Sequence, residues 1–366
     1  MSRGLSWRNF DFLLLGAVVL ASAFGVAMIR SAVAGNEELI SYPTRQTYFV
    51  LVGLVVIFIL ASIDYRYWLS LHWPIYLVMM GFLISLSGLG QAAFGAQRWF
   101  QVGVLFLQPT EFAKIVVILI LARYFEKSQY DPRDLRWLLK SLAWTWGLVI
   151  WILLQPNLSN VIVTMVIWFF MAWMMGIELK MLFWLGVAGL VLGVVAFPFL
   201  EPYQQQRVFN FLFPDPNSSY GAIYNVQQAL IAIGSGGLFG KGYGHGTQTQ
   251  LRFMKVRHTD FIFSAISEEF GMIGSVLVIL TIGFIVWRCV RAAQKSRDVS
   301  GSMISLGVAT LLFFQASANL AMNMNLIPVS GLPLPFFSYG GSGLMSLMIC
   351  VGLVESVAMQ HKQLEF

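Results

Sequence analysis

Residues 12–34 read FLLLGAVVLASAFGVAMIRSAVA, an apolar run interrupted by a single charge at Arg30. A helix needs about 20 mostly apolar residues to cross the hydrocarbon core of a bilayer. The run is therefore long enough to span by itself, which argues against a removable signal peptide, whose apolar region is only about 7–15 residues. Comparable windows follow near 47–63, 72–90, 109–125, 138–154, 158–175, 181–200, 261–288, 302–325 and 337–358. The expected fold is an all-α polytopic membrane protein of about ten transmembrane helices, one integral membrane domain over 1–366 that leaves no room for a second, soluble one. The fourth window, between Pro109 and Tyr124, is only about 24 Å long at 1.5 Å per residue, so it is short, tilted or shielded by its neighbours.

Composition points the same way. Of 366 residues, 58% are hydrophobic and 11% charged, whereas a soluble domain carries about 25% charged residues. The aromatic share of 15%, with 30 Phe and 12 Trp, suits lipid-facing helices and interfacial belts better than alternating porin strands. The net charge of +6 is not read as a nucleic-acid signal, because in a polytopic chain the excess mostly reports orientation.

Lys and Arg crowd alternate connections: Arg3 and Arg8, Arg66, the 123–140 segment, Lys180, the 288–297 segment and Lys362. Both termini are accordingly expected in the cytoplasm. The long connection 201–259 faces outside on this topology and still carries Arg207, Lys241, Arg252, Lys255 and Arg257. Long loops escape the orientation rule, so this basic outer region does not overturn the topology. Within it, 224–233 reads as a short amphipathic helix before a glycine run at 234–246. That run lacks the Gly and Ser/Thr positions of a P-loop, since Ser235 and Gly242 stand there. Cys289 and Cys350 fall on different helices, and His72, His245, His258 and His361 have no metal-ligand spacing. The residues thus offer no metal site.

Ionisable groups inside spans are functional candidates by default. Gln108-Pro-Thr-Glu-Phe-Ala-Lys114 opens the fourth helix, with Pro109 at its first position and Glu111 in its first turn. Lys114 shares the face of Glu111 against the dipole; it is either half of an ordinary ion pair or a cation placed to meet a phosphate at a helix N-terminus. Arg98 and Trp99 precede that helix, as an interfacial pair or as a phosphate fork with a sugar-stacking ring. Asp260, Ser264 and Glu268 share a face at helical spacing, with Glu269 a quarter turn further round. Asp260 either caps the eighth helix or serves as a general base in an outward cavity. Three prolines and four glycines between Pro328 and Gly343 prevent regular helix, giving a cavity lining or a tight re-entrant turn.

The wording of these motifs goes further. Gly95 to Trp99, Gln108 to Lys114, His258 to Phe263 and Gly331 to Gly341 resemble the signatures of the SEDS family, the shape, elongation, division and sporulation proteins. The resemblance covers nearly the whole chain, and Gly244 to Leu251 is closest to the elongation branch. Departures are Lys255-Val256 where the family has Pro-Glu, and Ala321 and Asn325 where it has Gly. The resemblance implies a peptidoglycan glycosyltransferase that polymerises lipid II into β-1,4 glycan at the outer face of the bacterial cytoplasmic membrane. It implies Asp260 as the base that activates a sugar hydroxyl, with inversion at the donor carbon. Arg98 and Lys114 would neutralise the pyrophosphate, and Gln108, Trp99, Glu111, Gln248, Glu268 and Ser338 would complete the substrate site. No cofactor is certain; a divalent cation, Mg2+ or Mn2+, is the one addition the phosphate chemistry leaves open. The implied partners are a class B penicillin-binding protein transpeptidase and other elongation-complex proteins. Two competing readings use the same cavity without chemistry, a lipid II flippase and a membrane scaffold for cell-wall enzymes.

Overall fold

The computed structural model describes residues 7–89, 91–93, 96–102, 105–214 and 221–360. In chain order these form α1 (Phe12–Ala32), α2 (Tyr42–Ser62), a short α3 (Tyr65–Ser70), α4 (His72–Leu89), three strands, β1 (Gln91–Ala93), β2 (Ala96–Val102) and β3 (Leu105–Leu107), then α5 (Pro109–Lys127), α6 (Leu135–Leu154), α7 (Leu158–Met174) and α8 (Leu179–Ala196). There follow α9 (Pro202–Leu212), α10 (Ala222–Ser235), α11 (Thr247–Gln250), α12 (Ile262–Lys295), α13 (Val299–Asn323) and α14 (Gly341–Met359).

Every apolar window is helical, but the helices are not alike. Among the described residues six are long and apolar enough to cross a membrane, α1, α2, α6, α12, α13 and α14; the α8–α9 pair, bent by 116°, can make a seventh. Of the other windows, α4 and α7 are apolar but shorter. α5 spans 19 residues but carries Glu111, Lys114, Arg123, Glu126 and Lys127. Its lining is nonetheless buried along nearly its whole length, because α4, α6, α7, α13 and α14 surround it. Shielding by neighbours, rather than tilt alone, lets a charged helix sit inside the bundle.

The all-α expectation needs one amendment. The segment before α5 is a three-stranded antiparallel sheet in the order β1-β2-β3, with Gln91 opposite Trp99 and Phe100 opposite Leu107.

The bundle has two distinct ends. At one, Asp11 caps α1 by accepting from the Leu14 N–H, its own N–H donates to Glu355 at 2.9 Å, and Arg288 pairs with its carboxylate at 2.5 Å. Asp298, the cap of α13, accepts there from Tyr65 and Arg66 at 2.8 and 2.7 Å. Both ends of the described chain lie here. The opposite end gathers the turn between α6 and α7, the 253–261 segment and the 328–340 segment.

The helix read as 261–288 is broken. Gly271 sits at φ +66° and ψ −159°, which separates a first section, 262–270, from the long remainder of α12. The break frees backbone groups that cannot be left unpaired away from water. The glycine run supplies the partners. Lys241 N–H donates to Glu268 O and Gly242 N–H to Glu269 O, at 3.0 and 2.9 Å, while Met272 N–H donates to Gly237 O at 2.8 Å. Such backbone-to-backbone contact requires glycine: a Cβ on Gly240, at φ +80°, would lie 2.2 Å from Glu269 O, and one on Gly271 would lie 2.4 Å from Gly240 N. Gly240→Ala is therefore expected to destabilise by at least about 2 kcal/mol, from the left-handed backbone and the clash together. Gly237→Ala, also at positive φ but with open space around it, should cost about half as much. Thermal unfolding of the two variants in detergent checks the difference.

Candidate active site

The 328–340 segment is where the prolines predicted irregular backbone, and side chains from the surrounding helices meet its freed groups. Gln46 on α2 donates to Ser338 O at 3.1 Å and accepts from Gly340 N–H at 3.2 Å. On α13, Gln315 donates to Pro333 O and Asn319 to Leu332 O, at 3.0 and 2.8 Å. The turn is thus a re-entrant segment held rigidly inside protein. Phe336, buried at φ +67°, is kept in a conformation bulky residues avoid, which marks the segment as over-determined by its surroundings.

This segment in turn fixes the residues that precede α12. Ser338 Oγ donates to Thr259 O at 2.7 Å and accepts from Leu334 N–H at 2.8 Å, so its hydroxyl is committed to shaping the loop. Tyr339 N–H donates to His258 O at 2.9 Å. From below, Asn319 and Asn323 both donate to Asp260 O, at 2.9 and 3.0 Å, and Asn323 also accepts from Ser264. The pair at i and i+4 on one face of an apolar helix is a polar ladder that holds a backbone oxygen in place.

The Asp260 side chain is left for other work. It does not cap α12, because the capping position falls at Phe261 and no side chain bonds there. Nor does it share a helical face with Glu268, since it lies before the helix begins. Its carboxylate faces Gly331 and Arg207: a Cβ on Gly331 would lie 3.9 Å from Asp260 Oδ2 and 4.0 Å from Arg207 Nη1. Burial pushes the Asp260 carboxyl up to about 6, against the opposing pull of the Arg207 charge and the Thr259 hydroxyl. A carboxylate so tuned is ionised at neutral pH yet basic enough to take a proton. His258 is held down at about 4 by burial and by neighbouring Arg257, so it stays neutral and supplies no charge.

Arg207 is the residue that the sequence did not place in the site. α9 carries it, and Tyr203 and Gln204 dock that helix by donating to Pro156 O at 2.5 and 3.0 Å. Arg207 Nη1 also donates to Val329 O at 3.2 Å. In the sequence it stood only as one of five cations of the outward 201–259 connection, with Tyr203 and Gln204 completing a polar stripe at helical spacing. Other cations of the 201–259 connection have internal duties. Lys241 bonds Glu268, Ser235 and Thr247, while Arg252 donates to Gly35 O and Arg257 to Ala32 O.

The remaining candidates fall into separate places. Lys114 is fully buried and donates to Glu111 at 2.8 Å, so in this conformation its ammonium faces a carboxylate instead of an approaching phosphate. Beside them Thr110 Oγ1 accepts from Asn160 at 3.1 Å, and Ser159 on the same turn of α7 donates to Ser330 O at 2.5 Å. The first turn of α7 therefore links the Glu111–Lys114 pair to the segment that abuts Asp260. Gln108 occupies the cap position of α5 without a side-chain bond to it. Glu268 is buried against the glycine run, accepting from Lys241, Thr247, Thr249 and the Gln248 N–H. Gln248 has a buried side-chain oxygen without a partner among the described residues. Trp99 lies on β2 opposite Gln91, and the Arg98 side chain lies outside the described residues. Among the described residues no three His, Cys, Asp or Glu side chains meet in the manner of a metal site.

A helical polytopic membrane protein with a perturbed carboxylate beside an arginine, on a loop braced by polar ladders, is a membrane enzyme in build. The FtsW/RodA/SpoVE cell cycle protein family profile matches residues 5–363, and the chain belongs to that family. It is 32% identical over 351 residues to the peptidoglycan glycosyltransferase MrdB of Escherichia coli K12, covering 95% of this chain and 93% of that one. The fold is similar to a chain solved in a study of how a peptidoglycan synthase complex coordinates polymerization and crosslinking, with TM-score 0.82, 29% identity and coverage of 96% and 98%. It also matches the rod shape determining protein RodA of Thermus thermophilus, with TM-score 0.73 and 29% identity over 98% of this chain and 99% of that one.

Proposed function

We propose that Asp260 is the general base of a glycan polymerase acting on lipid II. The chain is a peptidoglycan glycosyltransferase, the activity named for the relative that matches it nearly end to end. The observation that supports the assignment of the base is the Asp260 carboxylate itself, raised to about 6, beside Arg207 and freed from any capping duty. The acceptor hydroxyl gives its proton to Asp260 as its oxygen bonds the anomeric carbon of the donor. The bond from that carbon to the pyrophosphate oxygen breaks, and the polyprenyl pyrophosphate leaves with the electron pair. Attack opposite an α-linked leaving group yields the β linkage, so one base suffices. Arg207 stands where it can neutralise charge on the departing group, with Arg98 as the second candidate cation. Among the described residues no three His, Cys, Asp or Glu side chains meet, so a divalent cation, Mg2+ or Mn2+, is proposed only as a companion of the substrate pyrophosphate. The site lies at the end of the bundle opposite the termini; with the termini cytoplasmic, as the Lys and Arg distribution expects, it faces outside. A class B penicillin-binding protein is the proposed partner, in line with the complex named for the similar solved chain.

The test is direct. Purified full chain, with and without a class B penicillin-binding protein, is incubated with labelled lipid II and the products are separated on a gel. Glycan ladders are expected with the native chain and absent with Asp260→Ala. Ladders that survive the substitution sink the assignment of the base; no ladder in any arm, with lipid II crossing vesicle membranes, favours a flippase. The pH profile adds a second reading. Polymerisation should fall as pH drops through about 6, where Asp260 gains its proton. Because the Arg207 charge pulls that value down, Arg207→Gln should move the acidic limb to higher pH, and an unmoved limb would show that the limb belongs to another group.

A further inference from the structure

At the end of the bundle away from Asp260, the last turns of α12 read Trp287-Arg-Cys-Val-Arg-Ala-Ala-Gln-Lys295. Arg288, Arg291 and Lys295 recur on one face of the helix. They border an open cavity of about 310 Å3 lined on its other sides by Asp11, the cap of α1, by Phe12 and Leu13 of its first turn and by Val357 and Ala358 near the end of α14. That volume is at the lower end of the roughly 300–1,000 Å3 of small-molecule sites. Cations in the last turn of a helix are ordinary complements of its dipole. Three features here go beyond that.

The first is charge. The lining holds three cations and one carboxylate. Arg288 and Asp11 neutralise each other through bonds of 2.7 and 2.5 Å. Glu355 lies behind that pair and accepts the Asp11 N–H. Arg291 and Lys295 form no ion pair among the described residues, so the cavity keeps an uncompensated positive rim. The second is the apolar lip. Phe12 is 65% exposed, Leu13 61% and Trp287 51%, all on helices apolar enough to span. Arg288 and Arg291 both sit over the Trp287 ring, at 5.5 and 5.6 Å, which fixes their planes at the lip. The third is remoteness. α1 has 21 residues and runs from this cavity to the opposite end, about 30 Å away, so no ligand of the Asp260 site reaches it.

We propose that this cavity binds the headgroup phosphodiester of an anionic phospholipid, with Arg291 and Lys295 as its ligands and the acyl chains lying along Phe12, Leu13 and Trp287. A polar anion on an apolar tail matches a basic rim opening onto lipid-facing rings, and basic pockets between helix ends select such headgroups. With the termini cytoplasmic, the lipid belongs to the inner leaflet.

The test uses full chain purified in detergent, stripped of lipid and offered phosphatidylglycerol or phosphatidylcholine with the same acyl chains, with retention read by native mass spectrometry. The native chain should retain phosphatidylglycerol selectively. The double variant Arg291→Gln/Lys295→Gln should bind it about thirtyfold more weakly, from about 1 kcal/mol per cation. Arg291→Lys/Lys295→Arg, which keeps both charges, should retain it, showing that the loss is not one of folding. Equal retention of the two lipids by the native chain, or undiminished phosphatidylglycerol binding by the double Gln variant, overturns the proposal.

Discussion

Asp260→Asn is expected to slow glycan polymerisation by about 10²–10⁴-fold, the usual worth of a positioned general base, while leaving the fold intact. The expectation of an intact fold follows from what the side chain does not do. It caps no helix, and the bonds that hold residue 260 run to its backbone oxygen from Asn319 and Asn323. An amide of the same shape can sit beside Arg207 and Thr259 but cannot accept the proton. Binding of lipid II, followed by fluorescence of a labelled substrate, should therefore change far less than the rate. A variant that loses binding and rate together would mean that Asp260 holds the substrate instead of activating it.

Arg207 separates the two roles further. Its charge lowers the Asp260 value and, on the proposed mechanism, also neutralises the departing pyrophosphate, so Arg207→Gln acts on the leaving group and on the base in opposite senses. The base becomes stronger as its value rises, while the leaving group loses a cation. At a pH well above both values, only the second effect remains, and the variant should be slower there. That residual loss distinguishes stabilisation of the transition state from simple tuning of Asp260.

The bundle was readable because apolar length is a local signal, and each window from Phe12 onward did become a helix. Asp260 was also within reach of the sequence, as an acid at the boundary of an apolar run. What surrounds it was not. The grouping of Asp260 with Glu268 assumed a helix already running at 260, whereas α12 begins at Ile262 behind its cap Phe261. The break at Gly271 was hidden too, with the carbonyls it frees accepting from the Lys241 and Gly242 N–H groups far earlier in the chain. A lone glycine in an apolar run carries no mark of such a break, because its partner is remote. Strands of three and seven residues were likewise invisible, since pairing between Gln91 and Trp99 or Phe100 and Leu107 leaves no period long enough to detect. Arg207 became significant only when Pro156, in the turn between α6 and α7, docked its helix over Gly331.

The Glu111–Lys114 pair carries the second large expectation. Lys114 is 0% exposed and Glu111 4%, inside a helix surrounded by five others. Removing one partner leaves the other charged in a low-dielectric interior, so Lys114→Met should destabilise by about 3–5 kcal/mol, read from unfolding in detergent. Replacing both groups removes that penalty: Glu111→Gln/Lys114→Met should lie close to the native stability, as neutral replacements of buried pairs do. Activity then decides what the pair is for. Its neighbours Thr110 and Asn160 connect through Ser159 to Ser330, one residue from the glycine that abuts Asp260 and Arg207. If the pair serves the substrate site through that connection, the double variant folds and polymerises at least about tenfold more slowly, the loss expected of misplaced reacting groups. Full activity in a stably folded double variant would reduce the pair to a means of burying α5. A double variant that remains as unstable as Lys114→Met would instead show that the bonds of the pair, and not its uncompensated charge, hold the first turn of α5 in place.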